Sequence, residues 1–211
     1  MQCWQIFAAA ACLVCLPVFV QAPLVRLWPW FSLCSTLPLV WLSLRLKRHP
    51  MQSLWGDLLL GFSWTWLAGS IYWGWLRSEP LVHLPVEAIG LPFAIVDLYR
   101  GQNRLGNWFY LGSLFGTAMT DLYFYWVNLI PYWRQVMQVE PSLALSVLHD
   151  AVKLVQTPWG LGSAAVLLGV LLTVGLWPLR SSNQLSAWAF SGAVLSTIVV
   201  DGLFWLGAVL A

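Results

Sequence analysis

Long apolar runs separated by short polar loops set the pattern of this chain. The runs cover about 3–20, 31–46, 57–76, 81–99, 106–130, 159–177 and 187–210. A helix rises ~1.5 Å per residue and a bilayer core is ~30 Å thick, so about 20 apolar residues make one span. The pattern predicts an all-α, polytopic helical bundle of about seven transmembrane helices in a single domain over residues 1–211. The second run is short, as a re-entrant or tightly packed element is. Residues 131–157 break the pattern. From Pro141 onward the polar residues Ser142, Ser146, His149, Asp150, Lys153 and Gln156 share one helical face, and Leu143, Leu145, Val147, Leu148, Val152, Leu154 and Val155 fill the remainder. That spacing predicts an amphipathic helix started by Pro141, lying on the membrane surface or docked on a partner protein.

The chain also echoes itself. Arg100, Asn103, Leu105, Trp108, Gly112, Thr117, Asp121 and Phe124 recur 80 positions later as Arg180, Asn183, Leu185, Trp188, Gly192, Thr197, Asp201 and Phe204. Chance gives roughly two identities over such a window at ordinary residue frequencies. The echo predicts a duplicated helical hairpin, 81–130 and 159–210, both copies entering from one side and hence related by an axis near the membrane normal. A leading helix and a further hairpin precede them. That first hairpin shares the basic loop and following Trp, without a residue-level match.

Composition changes the picture in one respect: it names the solvent. Hydrophobic residues make up 60% of the chain and charged residues 9%, against about a quarter charged in a water-soluble domain. The net charge of +2 and thinly spread basic residues exclude a nucleic-acid track. Arg45, Lys47, Arg48, Arg100, Arg104 and Arg180 fall on one side of the predicted spans and Arg26, Arg77, Arg134 and Lys153 on the other. The positive-inside rule then places the N-terminus inside and the C-terminus outside. Trp55, Trp108 and Trp188 each follow a basic loop, as an interfacial belt requires. Met1-Gln2-Cys3 lacks the basic side chains of a signal peptide, and Pro23 follows the small-residue site Val20-Gln21-Ala22, so the first run reads as a retained helix. Cys12 and Cys15 form a CxxC with an apolar spacer, which fits buried packing better than redox or metal work.

The candidate chemistry lies in the membrane. Asp121 lies 13 residues beyond Trp108, roughly 20 Å of helix, past the bilayer midplane. Thr117, Tyr125 and Asn128 stand at i−4, i+4 and i+7 from it, a polar stripe that belongs against other helices or water. Asp201 repeats the depth with Thr197 at i−4, though Trp205 replaces the tyrosine. An ionised Asp there costs ~2.5–3.5 kcal/mol on insertion scales. The two acids are therefore neutral hydrogen-bonding locks, a proton- or cation-coupled site, or ligands of a pigment, quinone or metal. Glu87 lies between Pro85 and Pro92 with His83 one turn earlier. Prolines free backbone carbonyls, and broken helices of this kind line cavities. The His83–Glu87 spacing suits two metal ligands, but no third is identifiable, so an interface ion pair or hydrogen bond is the better reading and no metal site is assigned. Asp57 complements the N-terminus of the third span. The sequence holds no phosphate loop, nucleophile elbow or zinc motif, so no catalytic residue and no cofactor is assigned and an enzyme is disfavoured.

Val20 to Arg26, Trp55-Gly56-Asp57 through Trp75, Leu84 through Pro92 and Thr120 to Tyr123 resemble a multi-pass cyanobacterial family labelled domain of unknown function 3120. The resemblance covers nearly the whole chain and implies a photosynthetic host and an integral location in thylakoid or plasma membrane. Two functions are expected on these grounds. The first is a non-catalytic factor assisting assembly or stability of a photosynthetic membrane complex, with a membrane-protein partner. The second is a small proton- or cation-coupled transporter or substrate-capture subunit, in which Asp121 and Asp201 carry the charge and Glu87 and His83 line the path.

Overall fold

A computed structural model describes residues 1–210, and among them there are helices and no strand. Helix α1 spans Gln2–Leu27 and runs straight through Pro17 and Pro23. A widened turn absorbs the first proline: the Ala22 N–H reaches back five residues to the Pro17 carbonyl. The helix is thus longer than the apolar run 3–20, because Gln21 is buried within the bundle rather than ending the span. Trp28, at φ −138° and ψ 71°, turns the chain into α2, residues 29–47, with an irregular turn at Ser35. Then follow α3 (53–76), α4 (Pro80–Tyr99), α5 (Arg104–Trp126), α6 (Ile130–Gln138), α7 (Pro141–Val155), α8 (Pro158–Ser181) and α9 (Leu185–Leu210).

Four of these, α1, α4, α8 and α9, are long and apolar enough to cross a membrane. The runs predicted as second, third and fifth spans form helices that fall short of that standard. The helix α5 contains Asn107, Ser113, Thr117, Thr120 and Asp121, and α3 is diluted by Gly, Ser and Thr. The buried positions of α3 include Gly56, Gly61, Ser63, Thr65, Gly69 and Ser70, and those of α5 include Gly106, Asn107, Gly112 and Gly116, beside a few large apolar residues.

Helices α1, α3, α5 and α9 all run in the same direction and form a ring. Cys3 and Trp4 meet Asn183 and Trp188, and Phe19 meets Phe204, so α1 and α9 are parallel. A Cβ on Gly112 would meet Phe190 and Ala193, one on Gly116 would meet Thr197, and Thr120 touches Asp201, so α9 and α5 are parallel too. Helices α3 and α5 cross at Asp57, Gly61 and Gly106, and α1 closes the ring through Gln21 against Gly69. Ile6, Ala10, Leu58, Phe62, Leu105, Phe109, Ala189 and Ala193 form the core shared by all four. The returning helices α2 and α8 lie against α3 and α9, and α4 against α5.

Large apolar side chains lie on the outside while several polar ones are buried. Trp4, Trp28, Trp30, Trp41, Trp159 and Trp177 are more than half exposed, while Gln21, Ser32, Ser43, Ser70 and Ser191 are completely buried. A lipid solvent permits this arrangement, since apolar surface facing acyl chains costs nothing and polar groups must be satisfied within the protein. The same logic corrects the expectation for the cysteines. Cys12 and Cys34 are exposed and all four thiols are free, so they help cover an apolar exterior rather than fill the core. Of the three tryptophans after basic loops, Trp55 and Trp108 face outward. Trp188 instead packs edge-on against Trp4 at 5.0 Å, with its Nε1 buried.

Helix α7 carries the expected polar face, while its apolar set is buried only in part: Leu143 and Leu145 are exposed. Val147 and Val152 are buried, whereas Ser146, His149, Asp150, Lys153 and the following Gln156 are exposed; the Ser142 side chain lies outside the described residues. The buried face sits against α6, α8 and α9 of the same chain. Between α5 and α7 the structure adds the short helix α6, which the sequence pattern did not mark. Its polar positions, Arg134, Gln135 and Gln138, are closely spaced among apolar ones, and Pro131 in its first turn starts it. Helix α8 opens on a conventional cap, with the Thr157 hydroxyl accepting the Gly160 N–H at 3.0 Å and Pro158 in the first turn.

Candidate functional site

Helix α4 is broken where its prolines predict. Single turns over Pro80–Val82 and Ala88–Gly90 flank the short helix His83–Glu87. The break holds His83 and Glu87 on one face, toward α3 and α5. His83 Nδ1 lies 2.9 Å from Asp121 Oδ1, and its Nε2 lies 4.0 Å from Glu87 Oε1. The imidazole stacks on the buried Tyr72 ring of α3, with centroids 4.1 Å apart. Glu87 is 8% exposed, and the Tyr110 hydroxyl donates to its backbone carbonyl at 2.6 Å, pinning the break to α5. One turn-facing pair continues the cluster across the bundle. Thr120, next to Asp121, donates to Asp201 Oδ2 at 2.9 Å. Three carboxylates and one imidazole from α4, α5 and α9 thus form a polar seam in an otherwise apolar body.

The predicted residues are therefore brought together in part. Asp121 joins His83 and Glu87, which the sequence had set apart as cavity lining. Asp201 reaches the neighbourhood of Asp121 through Thr120. The stripe expected along α5 does not serve Asp121: Thr117, Tyr125 and Asn128 make no side-chain hydrogen bond to it among the described residues, and Tyr125 and Asn128 are exposed. Asn128 sits at φ 59°, past the end of α5, so it does not continue the face that Asp121 occupies. Thr197 is buried against Gly116 rather than paired with Asp201. The hydroxyl that bonds Asp201 comes from the neighbouring helix, so Thr120 takes the part assigned to Thr197. Tyr72 and Tyr110 carry no local signal: each is a single tyrosine in an apolar run, and its partner on α4 is chosen by packing.

At the far ends of the bundle two further sets of polar groups secure the loops. Asp57 does not complement its own helix. It lies one turn in, where Gly61 and Gly106 let α3 and α5 touch, and its Oδ2 accepts the Leu105 N–H of α5 at 3.0 Å. Lys47 donates to Asn103 Oδ1, and Asn103 donates to Asp97 Oδ2, joining the loops after α2 and α4.

At the opposite end, Glu79 caps the first turn of α4 by accepting the Leu81 N–H at 3.1 Å. Arg134 of α6 forks onto the same carboxylate at 2.8 and 3.1 Å, while Trp133 donates to the Arg77 carbonyl at 2.7 Å. The guanidinium hydrogen bonds hold the Glu79 carboxyl below the usual carboxylate range, with the Leu81 N–H adding to the effect. A depressed folded-state pKa gives a tie that is complete above the ordinary carboxylate value, about 4.3, and is lost as pH falls through the lowered value. Backbone amides of α6 should therefore be well protected at neutral pH, relative to the intrinsic exchange rate at that pH, and lose several-fold of that protection once acid protonates Glu79, while Glu79→Gln should show weak protection at both. Equal rates for Glu79→Gln and the unmodified chain at neutral pH would show that the fork does not hold α6.

Among the described residues there is no group of three His, Cys, Asp or Glu side chains arranged to hold a metal ion. The family model described as "Protein of unknown function (DUF3120)" matches residues 10–209, nearly the whole chain. No curated protein and no solved structure matches it.

Proposed function

We propose, on the premise that the chain belongs to the DUF3120 family and inherits no assigned activity from it, that it is a small proton-coupled membrane transporter. The observation that carries this reading is the His83–Asp121 contact of 2.9 Å on a broken helix. An imidazole bonded to a carboxylate is a pair between which a proton can be held and passed on. Glu87 on one side and Asp201, through Thr120, on the other extend it along the bundle. Ionisable groups within a membrane are costly, which favours a working role over decoration. On this reading α2, α3 and α5 also cross the bilayer, α3 and α5 as part of the shielded centre and α2 on its outside, giving seven spans. The end with Arg45, Lys47, Arg48, Arg100, Arg104 and Arg180 faces inside, and the C-terminus lies outside. The duplicated hairpin is the source of the parallel α5–α9 pair.

Purified protein in liposomes loaded with a pH-sensitive dye tests it. An imposed gradient should collapse faster than in empty vesicles. Asp121→Asn should slow that by on the order of a hundredfold, the scale a positioned proton-transfer group contributes. Asp201→Asn should slow it less, because that acid contacts the pair only through Thr120. Unchanged flux in both variants would remove the carboxylates from the mechanism. The reading as an assembly factor for a photosynthetic complex draws its support from the resemblance and from the exposed polar face of α7; co-purification of an intact complex with the chain, together with proton-tight liposomes, would decide for it.

A further inference from the structure

At the end of the molecule that carries α6 and α7, a half-open groove of about 410 Å³ is lined by Arg26, Arg77, Val136, Met137, Val139 and Ala144. Its floor and walls come from elements far apart in sequence: the last turn of α1, the end of α3, and the α6–α7 segment. Two arginines line it, Arg26 and Arg77. Neither makes an ion pair among the described residues, whereas Arg134 and Lys153 of this end are matched, with Glu79 and Asp150. Glu140, which follows the groove residue Val139, pairs with neither arginine. Arg77 is steadied by a 3.3 Å hydrogen bond from Nη1 to the Trp73 carbonyl, which leaves its other donors free. Arg26 has no side-chain hydrogen bond among the described residues. Two positive groups sharing one concavity repel each other unless an anion lies between them, and the guanidinium fork matches phosphate oxygens.

The rest of the lining is apolar, which a free inorganic anion has no use for. The surroundings set the depth. Trp28 and Trp30 follow Arg26 and are 61% and 67% exposed, and Trp30 packs edge-on against Trp75 at 5.2 Å. Exposed tryptophans of this kind lie at the headgroup level of a bilayer. We propose that this groove holds the anionic headgroup of a membrane lipid between Arg26 and Arg77, with Val136, Met137, Val139 and Ala144 against the adjoining glycerol and upper acyl chain. Basic pockets between helices recognise lipid headgroups in this manner. The site is separate from the His83–Asp121 cluster, and its occupancy does not depend on proton flux.

Native mass spectrometry on protein reconstituted in phosphatidylcholine with a minor fraction of phosphatidylglycerol reads it directly. The full chain should retain phosphatidylglycerol in preference to phosphatidylcholine. The double variant Arg26→Gln/Arg77→Gln should lose that retention by about tenfold or more, as removal of two arginines from an anionic-lipid site does. Arg100→Gln, at the opposite end, should keep it. Where the double variant fails to fold, Arg26→Gln alone and Ala144→Trp, which fills the groove and leaves both charges, should each reduce retention. Equal retention in the groove variants, no preference for the anionic lipid in the unmodified chain, or displacement of the lipid by millimolar inorganic phosphate would each overturn the proposal.

Discussion

Gly106→Ala is expected to cost this protein about 3 kcal/mol or more, at or beyond the upper end of ordinary overpacking. A methyl group on Gly106 would overlap the Asp57 carbonyl oxygen and lie 2.9 Å from the Gly61 amide nitrogen; one on Gly61 would overlap the Gly106 carbonyl. All of these neighbours are backbone atoms, which cannot swing aside as a side chain can. The helices α3 and α5 must separate, and the shared core at Leu58, Phe62, Leu105 and Phe109 separates with them. In membranes small residues at a crossing are what lets two backbones approach, since lipid supplies no hydrophobic push between helices. The Asp57–Leu105 hydrogen bond would stretch as well. Gly162 supplies the control: nothing lies within 4 Å of a Cβ built there, so Gly162→Ala should be neutral or stabilising by up to about 1 kcal/mol through helix propensity. Reversible unfolding in mixed detergent micelles measures both. Equal stabilities for the two alanine variants would show that the α3–α5 crossing is not as close as described.

The crossing also explains what the sequence revealed and what it concealed. The apolar runs gave the helices, and Pro85 with Pro92 marked the break in α4, because each signal is local: a missing N–H or an uninterrupted stretch of apolar side chains. The presence of acids at depth was equally legible, since Asp121 and Asp201 stand alone in apolar surroundings. Their partners were not. Helical spacing pointed to Thr117, Tyr125 and Asn128 because those residues share a face with Asp121 on an isolated helix. The selection among partners is tertiary: Gly61 and Gly106 fix how α3 and α5 meet, and Gly112 and Gly116 do the same for α5 and α9. Those contacts carry His83 with Tyr72 to one side of α5, and Asp201 with Thr120 to the other. Hydropathy misjudged the first span for a related reason. Gln21 reads as polar and therefore terminal, yet it is completely buried, and its amide donates to Trp66, Ser32 and Ser70 at 2.6–3.2 Å. Nothing in the local pattern announces a polar residue whose partners lie 11 to 49 positions away.

A second large effect distinguishes a working His83–Asp121 pair from a structural lock. His83→Phe keeps a ring to stack on Tyr72, now 4.1 Å from the imidazole, but removes the nitrogen that faces Asp121 at 2.9 Å. The abandoned carboxylate is 14% exposed, and stranding it should destabilise the fold by about 3 kcal/mol, the low end of what breaking a buried pair costs. Asp121→Leu alone should cost less, about 1–2 kcal/mol, because an unpaired imidazole stays neutral more readily than a carboxylate does in that setting. Combining the two should recover most of the stability lost by His83→Phe, since two apolar groups replace the pair without leaving a charge behind. A double-mutant cycle in mixed micelles then gives a coupling energy of about 3 kcal/mol, the top of the range for contacting residues. Strict additivity would mean that the two side chains do not interact. Proton flux in liposomes behaves differently under the proposed function: both single variants and the double variant should lack it, and restored stability should not restore it. A double variant that is stable and still conducts protons would reduce His83 and Asp121 to a device for holding α4 against α5, and the case for transport would then have to rest on Glu87 and Asp201.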